Sequence, residues 1–529
     1  MSYSKTPAIA TYETKRVNFF QNGNPRAPGY PTLDLKDKDF RLLNMMVETV
    51  PNNVGQSPEV KLKSRPMFVN TYPMSGIKTP RGIYTYKNSP VYSGGQAETI
   101  YRVTDNKLYN SKSLFPVVAT LATSTGEVGW AEFLSSTGQR SLILVDGIDG
   151  YVILTDPVGE TISVTKITDP DFPTPHVPDP VVIDGYLFLA KAYTNDIYNS
   201  NLDHPELWTA GDYISAEMYA DTIVALAKNN NYLYAFGTDS IEFFFDNANS
   251  TGTPLARQPS AVQQMGCAIP ESVVQTEKQV VFVGTTSNGG LTVWLIDSFQ
   301  ATEISTTLIK SALLYEIINN PTTYQRSAYV VRVNGQKLYV LRLTDRTFIY
   351  SFDTQMWSEW NCKENGTYDN TGAEINFMGV YAADTESGSP VVQLSHGYWT
   401  TLVEDLSYRA PPPYTYLYFE YFTCLIITQR LNFDTINRKT MSRLSIIGDM
   451  LPEVESEVHI QWSDDDGNTW VPADPSYRTL QMSSTYSGDL PAIHQLGAFR
   501  QRSFKIKHLH YRTPFRISGI EVDINKGIR

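Results

Sequence analysis

The 529-residue chain carries 43 Lys and Arg against 55 Asp and Glu, a formal net charge of −12. That length is enough for two domains or more, and the acidic balance disfavours grip on a nucleic-acid backbone. With 41% hydrophobic and 19% charged residues the make-up is that of an ordinary soluble protein. The longest apolar runs, such as 424–427, fall far short of the roughly 20 residues that span a bilayer.

The opening stretch has no apolar h-region, so no secretory leader is expected. Cys267, Cys362 and Cys424 lie far apart, form no CxxC knuckle and cannot all pair, which reads as free thiols of a chain made in a reducing cytoplasm. The 33 Tyr and 23 Phe, set among β-branched residues that alternate with polar ones, favour strands.

Residues 1–65 read as an irregular arm. Turn residues crowd 22–31 and 49–58, and only 39–50 carries a brief helical pattern. Such an arm buries little by itself and is expected to dock on a domain or a neighbouring subunit.

Over 66–408 a repeat appears. Seven apolar or aromatic stretches run into Asn110, Asp156, Asp203, Asp246, Asp297, Asp353 and Asp405, at spacings of 46, 47, 43, 51, 56 and 52 residues. This period suits four short antiparallel strands per unit, so the segment is expected to be a β-propeller of six or seven blades. Asp184-Gly185 and Asn334-Gly335 each sit between two apolar runs, where both residue types accept the positive φ of a tight hairpin. No long helix is expected between the strands.

Residues 410–413, Ala-Pro-Pro-Pro, punctuate the chain, because stiff prolines donate nothing to a ladder. Beyond them, 409–529 holds five strand candidates and reads as a smaller β-sandwich-like platform. The whole chain is therefore expected to be all-β.

Ser463, Asp465, Gly467, Thr469 and Trp470 fit the S-x-D-x-G-x-T-W pattern of an Asp-box. There carboxylate and hydroxyl oxygens accept backbone N–H bonds, glycine takes the strained φ and tryptophan packs beneath, which is a structural turn. Placing Gly467 at the sixth position of a calcium loop puts Trp462 at the first, where a carboxylate is required. His494, His508 and His510 lack further ligands at zinc spacing. No nucleophile elbow, phosphate loop or HExxH motif is present, so neither enzyme nor cofactor is expected.

Charge is uneven. Residues 494–529 hold eight Lys and Arg against two acids, giving 8 − 2 = +6 and leaving −12 − 6 = −18 for the rest. Arg500, Arg502, Lys505 and Lys507 lie in this basic stretch and are candidates for a subunit or adaptor interface. Strand alternation would send 500 and 502 to one face and 505 and 507 to the other.

Residues 426–433, 437–448, 458–470, 496–507 and 514–524 together resemble the closing part of the packaged-DNA stabilisation, or tail nozzle and hub, proteins of short-tailed bacteriophages. Residues 267–284, followed by 291–297 and 301–306, are similar to a blade of that family, and 13–22 to its opening segment. The resemblance implies a virion tail protein made in the host cytoplasm. It implies a ring, expected to be a hexamer, beneath the portal and its adaptor. Such a ring continues the DNA channel, retains the packaged DNA without sequence-specific binding, and docks a tail fibre or spike. A glycan-binding or glycan-degrading propeller and a generic interaction platform are the alternatives left by the residues alone.

Overall fold

In a computed structural model the described residues are 13–18, 41–50, 59–65, 68–72, 80–87, 98–110, 117–155, 161–249, 251–286, 288–321, 326–333, 336–344, 346–360, 391–394, 422–449, 457–482, 491–510 and 515–526. Cys362, Asp405, the Asn334-Gly335 dipeptide and residues 410–413 lie outside them.

The period read from the sequence is that of a propeller. Six antiparallel four-strand units follow one another at 80–120, 129–166, 181–215, 223–257, 267–303 and 327–360. The first strands of successive units touch from the second to the sixth, which places them innermost, with the later strands fanning outward. The recurring Asn and Asp positions now have a meaning. Each of the first six falls at, or within two residues after, the end of a third strand: Lys107–Asn110, Gly150–Thr155, Asp196–Asn201, Ile241–Asp246, Leu291–Asp297 and Thr347–Ser351.

Local chemistry sets the hairpins. Ile183 pairs with Tyr186 across Asp184 and Gly185, at φ of 46° and 84°, the left-handed conformation both residues tolerate. Between blades, apolar side chains fill the seams. Phe188, Ile197, Leu226, Leu233 and Phe244 join blades three and four, while Phe236, Phe243, Val280 and Phe282 join four and five. Among the described residues one α-helix, Thr307–Asn319, interrupts the strands. It is tied down by Glu316, 2% exposed, whose carboxylate accepts from Arg326 Nε at 3.1 Å and Thr344 Oγ1 at 2.6 Å.

The N-terminal segment differs from the expected arm. Its described residues are strands, and the stretch read as helical forms Arg41–Leu43 and Met45–Val50. The two belong to different sheets, and Asn44 makes the break with φ of 57°. Arg41–Leu43 is the bridge of a nine-stranded sheet. It pairs parallel with blade six at Glu359 and antiparallel with Phe422–Ile427, beyond which lie Ser503–His510, Glu457–Ser463 and Arg478–Gln481. Met45–Val50 and Glu59–Ser64 join Arg516–Lys526, Lys439–Gly448 and Ala492–Phe499 in a second sheet, with Glu13–Asn18 also on Arg516–Lys526. The two sheets enclose one core that includes Leu42, Met45, Leu62, Ile426, Ile446, Phe504 and Ile520. Leu42, Leu43, Met45, Met46 and Val47 around Asn44 fit a strand or a helix turn equally, and the partners that define Arg41–Leu43 are several hundred residues away.

Candidate assembly surface

The Asp-box turn forms in full. Ser463 Oγ donates to Asp465 Oδ1 at 2.8 Å and accepts from the Gly467 amide at 2.9 Å. Asp465 accepts from the Thr469 amide at 2.9 Å and from Thr469 Oγ1 at 2.6 Å, bonds that hold its carboxyl below the usual range. Gly467 has φ of 80°. Trp470 is half-buried rather than fully packed beneath the turn.

The basic stretch is divided between two sheets. Arg500 and Arg502 flank the turn from Ala492–Phe499 into Ser503–His510 and do not share a face. Arg502 is 1% exposed and forms a bidentate pair with Asp464, at 2.7 and 2.8 Å, from inside the fold. Its Nη1 donates to the Leu496 carbonyl at 2.8 Å, and its plane lies 4.2 Å from the Phe499 ring centre. An interface role for Arg502 is thereby corrected: it clamps the Asp-box loop to the core. The local sequence carried no signal of this, since Arg502 stands among Arg500, Lys505 and Lys507 and its partner Asp464 lies 38 residues upstream.

Lys505 and Lys507 do share a face, with Phe504, Ile506 and His508 buried on the other. Lys505 Nζ lies 5.8 Å from the Trp470 ring and 3.9 Å from Asp474, so it also braces the Asp-box hairpin. Lys507 is half-buried. Arg500 is exposed and donates to the Ile436 carbonyl at 3.3 Å, beside an Ile436 side chain that is 69% exposed. Arg500, next to Ile436, is thus the outward-facing member of the predicted set. His494 is exposed on one sheet and His508 buried against Phe515 in the other. Among the described residues no group of three His, Cys, Asp or Glu is placed to hold a metal. Cys267 and Cys424 are buried and not in a disulfide.

A second cluster escaped the sequence reading, because it assembles from three blades. Glu127 and Asp179 precede the first strands of blades two and three, and Glu271 lies in that of blade five. Glu127 is exposed to the channel and Asp179 half-buried, but the protein surrounding them raises Glu127 above the usual carboxylate range and Asp179 to about 7, with the neighbouring carboxylates adding to both shifts. The Leu226 amide of blade four donates to Asp179 at 3.3 Å and offsets part of that rise.

Six four-strand units continuous with a two-sheet platform define the fold class, a β-propeller with an appended all-β platform. A family model described as bacteriophage P22 Gp10, beta-propeller, matches residues 45–383, and the chain belongs to that family. The tail hub protein gp10 of Salmonella phage P22 is 24% identical over 365 residues, covering 66% of this chain and 72% of the relative. Among solved structures, the Pan2 WD40 domain of Neurospora crassa is 9% identical, with a TM-score of 0.34, over 62% of this chain and 98% of its own. The N-terminal domain of Nup159 is 11% identical, with a TM-score of 0.33, over 67% and 99%.

Proposed function

We propose that the chain is a structural protein of a phage virion tail and that copies of it form a ring that continues the DNA channel. The ring would sit below an adaptor, retain the packaged DNA and offer a dock for a fibre or spike. The observation that carries this reading is the family membership over the propeller and its entry strands, 45–383. The build supports it. One nine-stranded sheet runs from blade six into the platform, so load on either part is borne by a continuous hydrogen-bonded ladder. The net charge of −12 suits a wall along which DNA slides, because affinity for a duplex comes from neutralising its phosphates.

A closed ring uses two different patches of each copy in head-to-tail contact. Arg500, an exposed cation beside the exposed Ile436, is the member of the predicted basic set suited to such a contact. Antibody labelling of this chain on purified particles, read by electron microscopy, tests the assignment. Label at the tail tip of a single vertex is expected; label on lateral fibres, or none on any particle, overturns it.

A further inference from the structure

Residues 167–180 join blade two to blade three and form no strand. Prolines at 170, 173, 175, 178 and 180 withhold five amide donors, so few backbone bonds fasten the segment. The Ile167 amide donates to the Gly150 carbonyl at 2.8 Å, His176 to Gly147 at 2.9 Å and Val177 to Ala190 at 2.9 Å, while the Pro175 carbonyl accepts from Ala192 at 2.9 Å. Thr174 Oγ1 donates to the Ile148 carbonyl at 3.0 Å. Apart from the bond at Ile167, these ties lie within two residues of His176. They join it to one turn of blade two and one turn of blade three.

His176 is 3% exposed, with the Phe172 ring edge-on at 5.2 Å. Its Nδ1 lies 2.9 Å from the Pro173 carbonyl, which can only accept, so Nδ1 carries the proton and Nε2 is the bare nitrogen of a neutral ring. Nε2 is buried, and among the described residues no polar group reaches it. The surrounding charges are engaged elsewhere. On blade two, Asp146 accepts from Thr123 Oγ1 and from the amides of Ile148 and Asp149, and Asp149 holds Lys166 at 2.7 Å. Within the segment, Asp169 accepts from the Asp171 and Trp208 amides, and Asp171 is exposed. On blade three, Lys191 Nζ lies over the Tyr198 ring at 5.8 Å.

We propose that His176 makes this segment an acid-released latch: a proton taken up at Nε2 frees the residues around 176 from the turns of blades two and three, while both blades keep their ladders. A charged ring would place a second N–H in the interior with no acceptor, and water supplies one on opening. Burial outweighs the pull of Asp146 and Asp149 and holds the ring's pKa below its ordinary value of 6.5. The open segment therefore takes up a proton that the closed one does not. The hold is whole above about 6.5 and declines as pH falls below it. Asp179 titrates in the opposite sense, but its contribution is separable, because it bonds to Leu226 of blade four and to neither turn.

The test is hydrogen exchange of the full chain, read by mass spectrometry at pH 7.5 and 5.0 and corrected for the intrinsic exchange rate. Protection over 171–177 and 189–193 should fall roughly tenfold or more at the lower pH, while that over 140–155 stays within about twofold. His176→Asn carries a side-chain amide that can donate to the Pro173 carbonyl and does not titrate near neutrality. In that variant, protection over 171–177 should stay within about twofold between the two pH values. Undiminished protection of the wild-type segment at pH 5.0, or an equal fall across 140–155, overturns the proposal. So does the same acid loss in His176→Asn or, should that chain not fold, in His176→Gln.

Discussion

Arg41 grips Glu359 through two hydrogen bonds, Nε to Oε2 at 2.9 Å and Nη2 to Oε1 at 3.1 Å, across 318 residues of chain. The Glu359 side chain is 3% exposed, and its backbone carbonyl also accepts from the Asn44 amide at 2.7 Å. The pair fastens blade six to the strand that leads into the platform. Removing the arginine leaves a carboxylate in the interior with no cation beside it. Arg41→Ala should lower stability by about 3–5 kcal/mol in urea unfolding, and Arg41→Ala with Glu359→Gln by less than the sum of the two singles.

Arg502 and Arg500, two residues apart, should behave oppositely. Arg502→Glu places a second acid against Asp464 inside the fold and is expected to unfold the platform, seen as loss of its thermal transition. Arg500→Glu should leave that transition within about 0.5 kcal/mol, as surface changes do, while lowering the assembled fraction in sedimentation. Unchanged sedimentation of Arg500→Glu would remove this residue from the contact between copies.

Stability should fall as pH rises from about 4 to 7 through the axial carboxyl groups. Asp179 keeps its proton to about 7 in the fold against 3.8 as its ordinary value, so the folded state binds more protons in that window. Its favourable contribution is whole below the lower value and is lost on passing the upper one. Asp179→Asn should flatten this slope, by roughly 1–3 kcal/mol at pH 7.5 once water in the channel is allowed for. Denaturation midpoints measured at pH 4.5, 6 and 7.5 in both proteins decide it.

Gly129 opens blade two where the chain entering blade three crosses it. A β-carbon there would stand 1.8 Å from the Pro178 carbonyl oxygen and 2.6 Å from its carbon, both of them backbone. Gly129→Ala should therefore cost about 3 kcal/mol or more and lower the yield of folded protein. Gly138→Ala, with nothing within 4 Å of the added carbon, should cost only the strain of its φ of 80°, about 1–2 kcal/mol.

The blade architecture was legible because it is written locally. A third strand ending in Asp246 or Asp297 repeats one hairpin's chemistry in each unit, and Asp184-Gly185 states its turn in two residues. The role of 41–50 was not legible, since Leu43 is defined as strand by Glu359 on one side and Leu425 on the other. Arg502 was assigned by charge, and its partner Asp464 lies 38 residues upstream within a motif read separately. The axial trio depends on three blades. No window of sequence contains it.

The strand Arg516–Lys526 is flanked by Lys439–Gly448 and, on its other side, by Glu13–Asn18 and Glu59–Ser64. Each blade is built from four consecutive strands, but the second platform sheet cannot close before Arg516–Lys526 is present. Until then the earliest strands have no template beside them. Without Arg516–Lys526 the core would lose Ile517, Ile520, Val522 and Ile524 and be left with an open apolar seam. The second platform sheet is thereby an element held together by strands from opposite ends of the sequence, and it is expected to close after the blades.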